Sequence, residues 1–465
     1  MRRSRQAAKA EETEEKPGSS FPWRLGGVTT AYYKVPGKES TEHMPANLDA
    51  HSAKLSAKLS DWESRRHALL ENRKGQTADL PLKFYRQQAH FTTPASNLEM
   101  VTKAIEKGSA SSSKGLEKFG ISVAELADTL RVEDKEIDRE LNADHHAPFV
   151  MVDGEDAQAL RDDVVERGRE NAIKVFREAK WGRTLRFYRP SGLNLDYCLR
   201  DILIVLTESA KGRAPEKFPI DGIVWPKTEH PEELAFVSEI LGEIEKTLGL
   251  RENQIKLEFL VESGWAAAQL PLLVKASIHR LAGIIWGIAD YSADIGLPYI
   301  INDHPVCDWV RMTIVNLAGG IGVPSIDNMT VNYPVANASL SPADNKKHIL
   351  GRLKEVYDDA AHGQRLGMDG KWVGHPLQLF CVRLAYRLAF TEEEFREELA
   401  KIEAYTKAVD AQVGATIING VMSDRATDRH ARWKVRKAIA RGHLGTARGL
   451  ELGVISKEEA VELGG

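Results

Sequence analysis

From residue 89 onward, short apolar runs alternate with longer segments whose apolar residues recur at helical spacing. This alternation is typical of repeated βα units. Helical stretches such as DVVERGRENAIKVFREA and PEELAFVSEILGEIEKTLG separate the runs. The predicted strands are AHFTTP (89–94), PFVMVDGED (148–156), TLRFYRP (184–190), DGIVWPK (221–227), KLEFLVESG (256–264), GIIWGIADYS (283–292), SIDNMTVNY (325–333) and the segment entering KWVGHP (371–376).

Eight alternations over roughly 290 residues favour an α/β fold closed as a (β/α)₈ TIM barrel, which needs about 250 residues. A doubly wound open sheet is the alternative that the pattern leaves open. We predict a catalytic barrel domain over residues 86–385. Residues 1–85 form an N-terminal extension, disordered over its first twenty residues but with a helix near LDAHSAKLSAKLSDWESRRHALLENR. Residues 386–465 are expected to form a C-terminal helical lid or interface segment.

Composition narrows the classes of function. The net charge of −4 and a pI near 6.4 give no basic field for nucleic acid or an anionic membrane. The three cysteines are scattered, which argues against a disulfide framework or a zinc site. No apolar run approaches the roughly 20 residues of a membrane span, and the N-terminus lacks the apolar core of a signal peptide. We therefore expect a cytoplasmic protein.

Ionisable residues stand at the ends of several predicted strands. In a barrel the carboxyl ends of the strands meet at the rim where the catalytic groups lie, so a charge repeated at this place on many strands predicts one convergent, acidic site. A single such charge is more often a solvated loop residue. The set is Asp153, Glu155 and Asp156, then Arg189, Lys227, Glu262, Asp290 and His375.

Glu262 and Asp290 are the strongest candidates for metal ligands. They lie 28 positions apart, which is one βα unit, so neighbouring strands would bring them to the same rim. A hard cation such as Mg²⁺ prefers a few carboxylate oxygens and keeps several waters. For each residue taken alone, a helix N-cap or an ion pair with a loop lysine is an equal alternative.

The ordered series VDGEDA, YRPSGLN, IVWPKTE, FLVESG, WGIADYSADIG, SIDN and GMDGKWVGHPLQL resembles the citrate lyase β-subunit and malyl-CoA lyase family of HpcH/HpaI-type aldolases. The family counterparts read roughly DLEDA, VRxNGL, LPKVE, LIET, FGxxDYAADLG, AIDG and GxDGKWxIHPxQ. Each motif is weak alone, whereas seven in order are specific. The pieces RPSG, VESG and VGHP also resemble malate synthases, which share the barrel.

This resemblance implies a metal-dependent Claisen-type reaction that joins an acyl-CoA to a 2-oxoacid or cleaves the product. It places Glu262 and Asp290 on Mg²⁺ or Mn²⁺, with Asp156 beside them. Glu155 and Asp156 match the family's Glu-Asp pair, which holds metal-bound water and the loop, and we count Glu155 among the catalytic groups. Arg189 matches the arginine that contacts the oxoacid oxygen. Such a guanidinium and a metal together stabilise a developing oxyanion.

Three positions depart from the family pattern. Ser191 replaces an asparagine, and Gly154 stands where a bulky residue is common. Arg186, three residues before Arg189, would take the catalytic position if the strand register differed. We otherwise assign Arg186 and Lys227 as candidate cofactor-binding groups for the CoA thioester.

The catalytic base is harder to place. In malyl-CoA lyases a C-terminal segment of the pattern GAVxxDGxMID closes over a neighbouring subunit and supplies an aspartate. The counterpart here is GATIINGVMSD (414–424), in which Asn419 replaces the first aspartate and Asp424 keeps the last position. We predict Asp424 as the base, acting across a subunit interface. Its alternative role is an N-cap for the basic helix that follows, whose Arg and Lys residues are candidates for CoA phosphates or a solvated surface.

Three functions remain open from the sequence. The first is a malyl-CoA or citramalyl-CoA type lyase, which acts on a 3-hydroxyacyl-CoA. The second is a malate synthase, which adds thioester hydrolysis to the condensation of acetyl-CoA with glyoxylate. The third is a citrate lyase β-like subunit that has lost turnover. We expect an acyl-CoA and a 2-oxoacid as partners, with no nucleic acid or membrane, and a homo-oligomer such as a trimer or hexamer.

Overall fold

Eight parallel strands close into a barrel in which each strand pairs with the next along the chain and β1 pairs with β8. The computed structural model describes residues 58–69, 77–78, 80–159, 161–418 and 420–464. The predicted TIM barrel is therefore confirmed, and the open-sheet alternative is excluded. The strands are β1 Ala89–Pro94, β2 Phe149–Asp153, β3 Leu185–Arg189, β4 Gly222–Trp225, β5 Lys256–Val261, β6 Leu281–Trp286, β7 Ser325–Asp327 and β8 Gly370–Val373.

Several strands end before the predicted residue, and the difference is largest for β6 and β7, which changes the setting of one metal ligand. The strand predicted over 283–292 ends at Trp286, and the chain then enters a short helix, Ile288–Asp294. Asp290 thus lies on a helix at the rim and not at a strand end. The strand predicted over 325–333 spans only Ser325–Asp327. The apolar residues beyond these strands line the mouth of the barrel, where burial does not require sheet pairing.

Helices surround the barrel and extend it at the C-terminus. Four of them begin with proline at the first helical position, where the missing N–H costs nothing. We number as α1 the predicted N-terminal helix, whose described part is 58–69. The others are α2 Leu98–Lys107, α3 Ser112–Lys118, α4 Val123–Leu130, α5 Asp134–Leu141, α6 Asp162–Glu178, α7 Cys198–Ala210, α8 Pro231–Leu248, α9 Gly264–Ser277, α10 Ile288–Asp294, α11 Pro305–Ile321, α12 Pro342–Arg365, α13 Pro376–Leu388, α14 Glu392–Asp410, α15 Arg425–Arg441, α16 Thr446–Glu451 and α17 Lys457–Glu462.

The C-terminal segment contains an antiparallel hairpin, which the sequence analysis did not predict. Its strands are β9 Thr416–Ile418 and β10 Val421–Ser423, and it connects α14 to α15. Helix α15 then lies against the amino-terminal end of the barrel, where Arg441 donates to the backbone oxygens of Tyr85 and Asp369. The division into domains at residues 85 and 385 stays a prediction, and the first twenty residues lie outside the described ranges.

A membrane-spanning helix is not found in the part of the chain that the structure describes, since none of its helices combines the necessary length and apolar character.

Candidate active site

Three carboxylates converge at the carboxyl-terminal rim of the barrel. Asp156 lies in the loop after β2, Glu262 directly follows β5, and Asp290 lies on α10. Each contributes an oxygen, and the three oxygens lie within 4.8 Å of one another. The structure thus brings together the three residues that were predicted as metal ligands. Such hard oxygen donors suit Mg²⁺ or Mn²⁺.

A glycine makes room for the central ligand. A Cβ atom at Gly287 would lie 2.5 Å from Cγ of Glu262 and 2.8 Å from its Oε1. Both contacts are too short, so any side chain at this position would displace the buried Glu262. Glycine directly after β6 therefore leaves the space in which the Glu262 carboxylate joins the cluster.

Lys227 lies among these carboxylates. Its Nζ is 3.6 Å from Glu155, 3.3 Å from Asp156 and 3.5 Å from Asp290. Its backbone N–H donates to Oε2 of Glu262 at 3.0 Å, and its φ of 48° is uncommon for a residue with a side chain. The ammonium supplies positive charge to an acidic cluster. Its assignment to CoA binding stays a prediction.

Arg189 is held rigidly over the mouth of the barrel. Its Nε and Nη2 donate to Asp153 at 2.6 and 2.5 Å, and both residues are buried. Asp153 and Arg189 are the last residues of β2 and β3 and are direct partners in the sheet register. The remaining nitrogen, Nη1, has no hydrogen-bond partner among the described residues, although it lies 3.3 Å from Glu155. One donor therefore remains for a substrate.

The alternative arginine is at the other end of β3. Arg186 forms a bidentate ion pair with Asp221, which precedes β4. It does not line the cavity at the rim, whereas Arg189 does. The register of β3 therefore places Arg189, and not Arg186, at the rim, and the assignment of Arg186 as a cofactor-binding residue stays a prediction.

Burial and the neighbouring cations shift the pKa values of the carboxyl groups at this site in opposite directions. Burial raises the pKa of Glu262 to about 7, although Arg189 and Lys227 pull it down. Burial likewise raises the pKa of Glu155, against the effect of Arg189. Asp156 is desolvated as well, but hydrogen bonding to Glu155 and the two cations hold its pKa below the usual value. An acidic cluster of this kind is stabilised by bound positive charge.

The carboxylates and Arg189 line a cavity of about 570 Å³. Its other walls are apolar and aromatic, and they include Met100, Met329 and Trp372. The Trp372 ring centroid is 5.4 Å from Cζ of Arg189, which adds a cation–π contact. Lys227, Glu262 and Asp290 also line a neighbouring cavity of about 270 Å³. The site therefore combines charged groups with space for an organic substrate.

A protein family described as "Domain of unknown function (DUF6986)" matches residues 153–463. The matched segment covers well over half of the chain and contains every charged site residue named above. The chain belongs to this family.

The chain has several curated relatives that carry functional names. It is 26% identical over 215 residues to the L-malyl-CoA/beta-methylmalyl-CoA lyase of Haloarcula marismortui, covering 45% of this chain and 58% of the relative. It is 27% identical over 302 residues to the lyase of the same name from Rhodobacter capsulatus, covering 63% of this chain and 87% of the relative. Among solved structures, a citrate lyase from Burkholderia xenovorans LB400 matches with a TM-score of 0.53 and 16% identity, covering 81% and 96% of the two chains. This structural match supports the shared fold.

The departures from the lyase motifs have local explanations in the DUF6986 protein. A Cβ atom at Gly154 would lie 2.8 Å from the Tyr188 hydroxyl and 3.0 Å from the Arg189 carbonyl oxygen. Glycine is therefore needed here because Tyr188 occupies the space. Ser191, in the place of asparagine, is buried and donates through Oγ to Asp201 at 2.5 Å, which fixes the loop after β3.

Asp424 caps a helix in this chain. Its Oδ1 accepts from the backbone N–H groups of Ala426 and Thr427 at 2.9 and 3.0 Å, and the Thr427 hydroxyl in turn accepts from the backbone N–H of Asp424, which completes a capping box. These hydrogen bonds lower the pKa of Asp424. It does not line the cavity within one chain. Its role as a base from a neighbouring subunit stays a prediction, and Asn419 lies outside the described residues.

The sequence analysis missed the partners that orient the predicted groups. Asp153 was noted only as a charge at a strand end, and Trp372 and Gly287 received no role. The signal for Asp153 was available, since it and Arg189 both end neighbouring parallel strands. Trp372 and Gly287 carry no comparable signal, because their effect depends on which side chain faces them. His375, one of the ionisable residues at predicted strand ends, caps α13 by accepting from the backbone N–H of Leu377.

Proposed function

We propose that this protein is a Mg²⁺-dependent carbon–carbon lyase of the malyl-CoA or citramalyl-CoA type. The observation that carries the proposal is the convergence of Asp156, Glu262 and Asp290 with Arg189 in one cavity large enough for an organic substrate. The similarity to two proteins named L-malyl-CoA/beta-methylmalyl-CoA lyase supports the same chemistry.

The reaction cleaves a 3-hydroxyacyl-CoA between C2 and C3. A base takes the proton of the 3-hydroxyl, the C2–C3 bond breaks, and its electron pair moves to the α-carbon of the thioester. Protonation of that carbon gives the acyl-CoA, and the former hydroxyl carbon becomes the carbonyl of the 2-oxoacid. The condensation follows the same steps in reverse.

Arg189 acts on the oxygen that changes charge in this sequence. Its Nη1 donates a hydrogen bond to the alkoxide or carbonyl oxygen, while Asp153 prevents the guanidinium from turning away. Asp156, Glu262 and Asp290 would hold Mg²⁺, which when bound polarises the same carbonyl group. The apolar walls exclude water and strengthen these interactions.

Asp424 of a second subunit is the base in this proposal. That role needs a homo-oligomer, and the hairpin that precedes Asp424 presents exposed apolar side chains, Ile417 and Met422, which suit a subunit contact. The substrates are an acyl-CoA and a 2-oxoacid. A cytoplasmic location, a trimer or hexamer, and the CoA contacts of Lys227 are part of the same proposal.

The decisive assay supplies the purified protein with Mg²⁺, acetyl-CoA or propionyl-CoA, and glyoxylate or pyruvate. We expect a stable hydroxyacyl-CoA product by mass spectrometry, whereas release of free CoA would indicate a synthase. Glu262→Gln should abolish both Mg²⁺ binding and turnover. No turnover by the wild-type protein with any of these pairs would overturn the proposal.

Glu258→Gln is the matched control. Glu258 lies on β5, four residues before Glu262, and burial raises its pKa well above the usual value, which favours the neutral carboxyl. Glutamine resembles a protonated carboxyl in shape and charge. This variant should therefore fold, bind Mg²⁺ and retain activity.

A further inference from the structure

A second cavity lies at the opposite end of the barrel from the carboxylate cluster. It has a volume of about 190 Å³ and is enclosed by α13, α14, α15 and the loop that leads into β8. Asp369 lies in that loop, before the strand begins, whereas the residues of the candidate active site follow their strands. Neither the proposed reaction nor the comparisons assign this cavity a role.

Positive charge predominates beside this cavity. Asp369 forms ion pairs with Lys437 at 2.5 Å and with Arg441 at 3.2 Å. Glu398 in turn is shared by Lys434 and Lys401 at 2.9 and 3.2 Å. Four cations thus share two carboxylates, and three of the four cations line the cavity. Burial lowers the pKa of Lys437 in spite of Asp369, which indicates an ammonium that is incompletely compensated.

The remaining wall is aromatic and contains an unused donor. Tyr386 lines the cavity, and its buried hydroxyl has no hydrogen-bond partner among the described residues. Phe390 and Phe395 pack with their ring centroids 4.6 Å apart, and Nζ of Lys434 is 5.0 Å from the Phe390 ring. A buried hydroxyl without a partner is destabilising, so a ligand that accepts a hydrogen bond from it would be favoured.

We propose that this cavity binds a small organic anion, with a carboxylate or phosphate group joined to a flat apolar part. The anionic group accepts from Tyr386 and the lysines, and the apolar part packs on the phenylalanine rings. The cavity is smaller than the roughly 300–1,000 Å³ of most ligand pockets, so CoA does not fit and the ligand has on the order of ten heavy atoms. Helix α15 begins directly after Asp424 and lines this cavity. A ligand bound here would therefore be placed to act as an effector of the proposed base.

Isothermal titration of the full-length protein tests this inference, with phenyl phosphate, benzoate and inorganic phosphate as probes. We expect one phenyl phosphate or benzoate per chain and weaker binding of inorganic phosphate. Lys434→Met removes one charged contact and should weaken binding about tenfold, and Tyr386→Phe, which removes a single hydroxyl, about fivefold. Unchanged affinity in both variants, or no saturable binding of either organic probe, would overturn the proposal.

The control is Lys354→Met, which removes an exposed lysine of α12 that pairs with Asp358 in a similar way. Its affinity for the probes should equal that of the wild-type protein. Titration of Glu262→Gln distinguishes the two sites, because binding at the second cavity does not need the metal ligands. Loss of binding in Glu262→Gln would assign the probe to the active site and contradict the inference. Lys434→Met and Tyr386→Phe should keep the aldolase rates of the wild-type protein.

Discussion

Arg189 has two functions that a lysine cannot combine. Two of its nitrogens bind Asp153, and the third makes no hydrogen bond among the described residues, although it lies within ion-pair distance of Glu155 and Asp156. Burial alone would lower its pKa, but Asp153 and Glu155 raise it, so the group stays charged. The guanidinium fork therefore holds its own orientation while one donor remains for the substrate.

Arg189→Lys should lower kcat/KM of the aldol reaction by about 10²–10³-fold, the range found when an oxyanion donor is removed. A single ammonium cannot bind Asp153 in two places and also reach the substrate oxygen. Steady-state kinetics in the presence of saturating Mg²⁺ would measure the change. The control is Arg186→Lys, three residues earlier on β3, whose ion pair with Asp221 lies at the other end of the barrel. Equal losses in the two variants would contradict the role given to Arg189.

His375 predicts a dependence of stability on acid pH. Its Nδ1 accepts the backbone N–H of Leu377, and burial lowers its pKa to about 4. Because the unfolded chain takes up this proton near pH 6.5, the stabilisation is complete above that pH and is lost between about 6.5 and 4. We expect His375 to account for about 1–2 kcal/mol of the loss after allowance for its partial exposure.

His375→Asn keeps an acceptor at the helix cap but does not titrate in this range. Urea unfolding at pH 7 and pH 4.5 would compare the two proteins. The variant should lose less stability than the wild-type protein over this interval. An identical loss in both would mean that other groups, such as His443, carry the effect; burial also lowers its pKa to about 4.

At the scale of elements, the residue that caps α15, Asp424, is also the proposed catalytic base. Asp424 accepts two backbone N–H groups and lies directly after the β9–β10 hairpin. A capping carboxylate with a lowered pKa is a weak base in the isolated chain. For Asp424 to act as the base, a second subunit would have to bury it and so raise its pKa.

Two substitutions of Asp424 separate these roles. Asn caps helices nearly as well as Asp but cannot take a proton, whereas Ala does neither. Asp424→Asn should therefore keep the melting temperature and lose turnover, and Asp424→Ala should lose turnover and also melt a few degrees earlier. Calorimetry measures the melting temperature of each variant, and the aldol assay measures its turnover. Full activity of Asp424→Asn would leave Asp424 as a cap alone.

At the scale of the whole molecule, the barrel gathers the metal ligands from distant parts of the chain. Asp156, Glu262 and Asp290 follow β2, β5 and β6, so a cation that binds them connects elements more than 130 residues apart in sequence. Without the cation, their mutual repulsion is offset only partly by Lys227 and Arg189. Metal binding should therefore stabilise the folded barrel as a unit.

Addition of Mg²⁺ at about 100 times its Kd should stabilise the protein by about 2.7 kcal/mol and raise Tm by about 3 °C for a chain of this length. Differential scanning calorimetry after EDTA treatment, with and without Mg²⁺, would measure the shift. Glu262→Gln should remove it, and Glu258→Gln should retain it. A shift of the same size in Glu262→Gln would place the metal elsewhere.

The sequence by itself determined a fold of repeated βα units, since the alternation of apolar runs and helical segments repeats eight times, and it favoured the closed barrel over an open sheet. It also predicted rim positions for Glu262 and Arg189, because the ends of parallel strands meet at one edge. The pairing of β1 with β8 and the register of β3 then decided for the barrel and for Arg189 over Arg186. Only the tertiary structure decided that Asp290 lies on a helix, that Arg189 is anchored by Asp153, and that Lys227 lies among the carboxylates. These facts depend on where strands end and on which side chains face each other across the barrel, and spacing along the chain does not encode either.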